Sequence, residues 1–92
     1  MSTCESRFVK IENKLGLHAR AATKLAKLSQ NYRATITIKL DDKSADADSI
    51  MGLMLLTGSQ GKTVEVISEG DDAEQALSAV CQLFGDKFDE AE

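Results

Sequence analysis

The residue best suited to chemistry in this 92-residue chain is its only histidine, His18. It stands in Asn13-Lys14-Leu15-Gly16-Leu17-His18-Ala19-Arg20-Ala21-Ala22, a polar, glycine-containing loop that runs into an alanine-rich segment. Alanine favours helix, so His18 falls at a helix start. The first turn of a helix carries unpaired N–H groups and a partial positive charge, which suit an anion. The same field disfavours imidazolium and leaves a neutral ring, whose free nitrogen can attack phosphorus. Arg20, two residues on, is within range of bringing its guanidinium to the same phosphoryl oxygens. Phosphoryl transfer asks mainly for in-line positioning and charge stabilisation, and a small convex domain can supply half of such a site. The bland alternative is a histidine that merely caps a helix or faces solvent, and spacing alone favours it.

Three further features bear on partners. Arg20, Lys24 and Lys27 recur at i, i+4 and i+7, so they form a basic stripe on one helix face of an acidic protein. Such a stripe can dock an acidic partner or can simply be a solvated face. Residues 50–56 are apolar except for one glycine, and a short helix cannot bury them all. Met51 and Leu55 are expected at the surface, where methionine-containing patches make adaptable contacts. Ser49, just before this run, suits a helix N-cap; it is also a candidate for regulatory phosphorylation, which would place charge on an apolar docking surface.

The elements that must position these residues follow from the pattern. Residues 8–11 read as a first strand. Ala21, Leu25, Leu28 and Tyr32 share one face of a helix that Asn31 can stop. Residues 34–40 alternate apolar and polar, the clearest strand in the chain. Residues 44–48 suggest a weak edge strand, 50–56 a short helix, and 62–67 a strand ended by Gly70. Asp71 and Asp72, followed three residues later by Glu74 and Gln75, give a capping-box signal for a closing helix. The order β-α-β-β-α-β-α suggests a two-layer α+β sandwich, with three helices covering one face of a four-stranded sheet and two split β-α-β units as its simplest threading. The whole of 1–92 reads as a single domain, with 1–6 as a loose terminus.

Composition narrows the classes. A net charge of −4 argues against general binding to nucleic acid. No apolar stretch is long enough to span a bilayer, and the first residues lack a signal-peptide core, so a cytoplasmic location and no membrane partner are expected. The two cysteines, Cys4 and Cys81, make neither a disulfide framework nor a metal site. No metal and no cofactor are expected, and a monomer is the simplest state.

The segment from Asn13 to Ala22 closely resembles the active-site signature of the HPr family, the histidine-containing phosphocarriers of the bacterial phosphotransferase system. Asp48-Ser49-Ile50-Met51-Gly52-Leu53-Met54 resembles the family's second signature, and the segments Gly61 to Val66 and Glu69-Gly70-Asp71-Asp72-Ala73 extend the likeness over nearly the whole chain. The resemblance implies an open-faced β-sandwich, a four-stranded antiparallel sheet with three helices on one face; it also implies that His18 is phosphorylated on Nδ1 and that Arg20 assists. It implies an Enzyme I-type donor and an Enzyme IIA-type acceptor. Docking would use the surface around the first two helices, with Leu17, Arg20, Lys24, Lys27, Ile50, Met51 and Leu55 as contacts. The chain departs from the family in having Ala21 where proline often follows His-Ala-Arg. It also has Asp48 where sugar-pathway members regulated at the serine usually carry lysine. The acidic tail is similar to that of the nitrogen-related branch. A sugar-transport carrier remains the alternative, and from other classes a regulatory module that works by contact alone or a small-ligand-binding domain.

Overall fold

The computed structural model describes residues 3–90. The elements are β1 (Thr3–Lys10), α1 (Ala19–Ser29), β2 (Thr35–Leu40), β3 (Lys43–Asp46), α2 (Ile50–Leu55), β4 (Thr63–Gly70) and α3 (Ala73–Gly85), followed by a 3-10 turn at Lys87–Asp89. The strands form one antiparallel sheet in the order β1-β4-β2-β3. Each β-α-β unit therefore has a strand slotted into it: β4 lies between β1 and β2, and β2 lies between β3 and β4. The α+β open-faced sandwich that the resemblance implies is the fold found.

Alternation decides which face is covered. Ile36, Ile38 and Leu40 on β2 and Val64 and Val66 on β4 are buried, while the residues between them are exposed or half-buried. The helices supply the other half of the core through Ala21, Ala22 and Leu25 of α1, Leu53 of α2, and Ala76, Val80 and Phe84 of α3. Alanines let α1 and α3 approach closely, and the larger side chains fill the space between them. Among the described residues no helix is long and apolar enough to cross a membrane.

Two sequence expectations are corrected. The first strand covers Thr3–Lys10 rather than 8–11, so residues 3–6 are not a loose terminus; residues 1 and 2 lie outside the described residues. Most of β1 is exposed on both faces, so it shows no apolar alternation; backbone pairing with β4, from Thr3 opposite Gly70 to Lys10 opposite Thr63, defines it. Cys4 lies on this strand and is exposed. The capping box at α3 does not form. Asp72 holds the N-cap position, but its carboxylate accepts the backbone N–H groups of Arg33 (2.9 Å) and Ala34 (2.8 Å) instead. A side chain serves whichever orphan donors lie closest, and here these belong to the turn before β2. The acidic tail packs onto the body of the protein. Phe88 is fully buried and packs edge-on against Phe84, with ring centroids 4.9 Å apart.

Candidate functional site

The loop before α1 is built to hold His18 still. Gly16 has φ 66°, and a Cβ there would collide with the carbonyl oxygen of Gly58, so only glycine fits. Leu17 donates its N–H to that carbonyl at 2.8 Å and is buried in the core. Asn13, also fully buried, donates from Nδ2 to the Gly16 carbonyl at 2.8 Å. The chain therefore reaches His18 from two anchored residues. His18 is the N-cap of α1, with extended backbone (φ −83°, ψ 179°), and its carbonyl accepts the N–H of Ala22 at 2.8 Å. A histidine in place of the usual Ser, Thr or Asp puts an imidazole where a capping oxygen would be. Its Nδ1 accepts the N–H of Arg20 at 3.3 Å. Nδ1 is thus the ring atom turned to the helix N-terminus, and its side chain is 25% exposed.

The other ring nitrogen, Nε2, meets a partner the sequence did not suggest. Glu90, from the tail, places Oε2 against Nε2 of His18 and 3.4 Å from the guanidinium of Arg20. Its Oε1 accepts from Nδ2 of Asn13 at 2.9 Å. Only 8% of the Glu90 side chain is exposed. Burial pulls its pKa up, but the hydrogen bonds from Asn13 and His18 and the charges of His18 and Arg20 outweigh that and hold it below the usual carboxylate value. Lys24, one turn along α1, is likewise tied to the tail: Nζ donates to the Phe88 carbonyl at 2.6 Å and lies 3.9 Å from the Asp89 carboxylate. No local pattern could have found Glu90, which is 72 positions from His18. The one signal was Phe88, an aromatic residue among acidic neighbours.

The expected docking residues divide. Arg20, Lys24 and Lys27 do lie along α1, though the first two also face the tail. Met51 (71% exposed) and Leu55 (69%) stand out from α2, which packs against α1, and Ile50 is partly exposed. Leu15, in the loop before His18, is another exposed apolar residue of this region, and its place between two anchored turns gave no pattern to read. Leu17 is corrected: it is a core residue whose side chain offers almost no surface to a partner. Ser49 is the N-cap of α2, its hydroxyl accepting the N–H of Gly52 at 3.1 Å. A 350 Å³ cavity lined by Tyr32, Arg33, Asp46 and Asp48 among others shares no residue with the His18 site.

The chain is similar to known proteins over most of its length. Residues 5–86 match the family model described as the PTS HPr component phosphorylation site. The chain is 53% identical over 85 residues to the phosphocarrier protein NPr of Shewanella violacea, covering 92% of this chain and 93% of that protein. It is 42% identical over 83 residues to NPr of Escherichia coli K12, covering 89% and 92%. Phosphocarrier protein HPr of Xylella fastidiosa is 40% identical over 80 residues, covering 87% and 90%. Among solved structures, an HPr from Thermoanaerobacter tengcongensis superposes with a TM-score of 0.91 at 39% identity, covering 96% of this chain and 99% of that one.

Proposed function

The chain belongs to the HPr family of the phosphotransferase system, and from that premise we propose that His18 carries the phosphoryl group, bonded through Nδ1. The observation that supports this reading is the direction of the ring, with Nδ1 turned to the N–H groups that open α1. The Nδ1 lone pair attacks the phosphorus of a phosphohistidine on an Enzyme I-type donor. The donor's P–N bond breaks, and its electron pair returns to the donor's ring. No proton need cross between the proteins. The Arg20 N–H, already 3.3 Å from Nδ1, lies beside the oxygens that arrive there, and the helix end favours their charge. Arg20, with an exposed side chain, has the freedom to swing its guanidinium onto the group. The phosphoryl group then passes by the same in-line displacement to an Enzyme IIA-type acceptor.

The nitrogen-related branch is the context we favour, on the higher identity to two NPr proteins than to the HPr of Xylella fastidiosa and on the acidic tail. Incubation with phosphoenolpyruvate and the Enzyme I of either branch tests the core of the proposal. An acid-labile gain of one phosphoryl group is expected on the wild type and none on His18→Ala. Failure of the wild type to load with both donors sinks the carrier reading. Full biological activity of His18→Ala would favour the contact-only module instead. Comparing nitrogen-related and sugar-specific acceptors for the loaded protein decides the branch.

A further inference from the structure

We propose that β1 is a self-complementary strand edge, on which a second copy of this chain pairs antiparallel to form a two-fold dimer centred on Ser6. Each chain keeps β1 on its own β4, and the two sheets join edge to edge. The two edges of the sheet differ. β3 has four residues between turns, whereas β1 has eight and pairs on one side only, with β4. An unpaired edge of that length is usually blunted by proline or by a bulge. The chain has no proline, and the register from Thr3 opposite Gly70 to Lys10 opposite Thr63 runs without a bulge. What remains on this edge is charge: exposed Glu5 and Arg7 at its middle and Lys10 at its end. Neither Glu5 nor Arg7 forms an ion pair among the described residues.

Backbone phase and charge together fix the register. The Ile11 N–H donates to the Lys62 carbonyl at 2.8 Å, so the backbone groups of odd-numbered β1 residues turn toward β4. Those of Cys4, Ser6 and Phe8 turn outward, free for another strand. A two-fold axis at Glu5 sets that carboxylate against its own copy, and an axis at Arg7 sets two guanidinium groups together. Like charges directly opposed are unfavourable. An axis at Ser6 sets Glu5 opposite Arg7 of the second copy, and by symmetry it does so twice. Axes nearer either end of β1 overlap less of it. With the axis at Ser6, the outward groups of Ser6 pair with their own copies and those of Cys4 with Phe8 of the second copy. The two Glu5–Arg7 pairs then fall at the non-hydrogen-bonded positions, where side chains stand closest. On the other face Phe8, 69% exposed, gains cover from Cys4 of the second copy. Helix α3 lies over β1 and β4, whereas α2 packs on α1 and β3 at the opposite edge of the sheet. The dimer therefore leaves α2 of both copies uncovered.

The test reads the dimer by sedimentation velocity under reducing conditions, which exclude a disulfide through exposed Cys4. Wild type is expected to show a dimer fraction that rises with protein concentration and falls as salt is raised. Glu5→Arg and Arg7→Glu each set like charges together at both pairs, and each is expected to weaken dimerisation at least about tenfold. The double variant restores opposite charges and is expected to dimerise as wild type does. The decisive arm mixes the two single variants. There each pair joins a cation on one variant to an anion on the other, so a mixed dimer is expected where neither variant dimerises alone. Circular dichroism checks that the variants stay folded, as exposed sites should allow. A wild type that is monomeric at every concentration overturns the proposal. So does a dimer that the single variants leave unchanged, as exchange of strands or contact through another face would give. A mixture of folded single variants that stays monomeric overturns the register and with it the proposal.

Discussion

At the scale of single residues, polar side chains here are committed to groups far away in sequence. Asn13 spans the Gly16 carbonyl and Glu90, and Asp72 receives two N–H groups from the turn before β2. The hydrogen bond from the Arg33 N–H is the main reason the Asp72 pKa lies below its ordinary value of 3.8; burial opposes it, and the Ala34 N–H and the Arg33 charge add to the lowering. A carboxyl depressed in the folded state stabilises the fold above its unfolded pKa, and that contribution is lost as pH falls through the folded value. Asp72→Ala is therefore expected to unfold at lower denaturant than wild type at pH 7. The gap should close as pH drops below the unfolded value of 3.8, and urea titrations at stepped pH check it. A gap constant down to the acid limit would mean that Asp72 acts through helix geometry and not through its charge.

At the scale of elements, α1 and the tail act as one unit. Helix α1 brings His18, Arg20 and Lys24 to one face, and the turn at Lys87–Asp89 covers part of that face. Phe88 is the anchor, because its burial opposes the cost of three left-handed residues. Phe88→Ala is expected to destabilise the protein by about 3 kcal/mol, in the range for emptying a buried aromatic site. Equilibrium urea unfolding measures that loss. A loss below about 1 kcal/mol would show that Phe88 does not anchor the tail. Helix α2 behaves as its sequence suggests, with Ser49 as cap and Leu53 as its inward residue. The Ser49 hydroxyl is engaged with the Gly52 N–H, so a phosphate there would compete with the cap that starts the helix.

At the scale of the molecule, the sheet serves as a rigid back, and His18 stands on the helical side, where α2 packs against α1 and leaves Met51 and Leu55 exposed. An apolar patch with basic residues on the neighbouring helix suits brief docking: the apolar contact supplies affinity, and the rim charges steer the encounter. Leu55→Asp is expected to weaken binding of an Enzyme I-type partner by at least about tenfold, seen by calorimetric titration. Stability should stay within about 0.5 kcal/mol of wild type, since the side chain is already mostly in water. Equal affinity for wild type and variant would remove α2 from the docking surface.

The sequence by itself determined the element order, the covered sheet face, the cap at Ser49 and the place of His18 at a helix start. All of these are local: alternation, helical spacing and capping preferences act within a few residues of one another. Only the tertiary structure decided the rest. It extended β1 over residues whose sole signature is backbone pairing with β4, drew Asp72 away from its own helix, and buried Leu17 where a docking residue was expected. It also brought Glu90 to the far side of the His18 ring. Each of these depends on groups dozens of positions apart meeting in space, and nothing periodic in a chain records such a meeting. His18 was legible because a helix start is written in its neighbours. Its carboxylate partner was not, because the turn that delivers it is held by packing against Phe84 and Lys24.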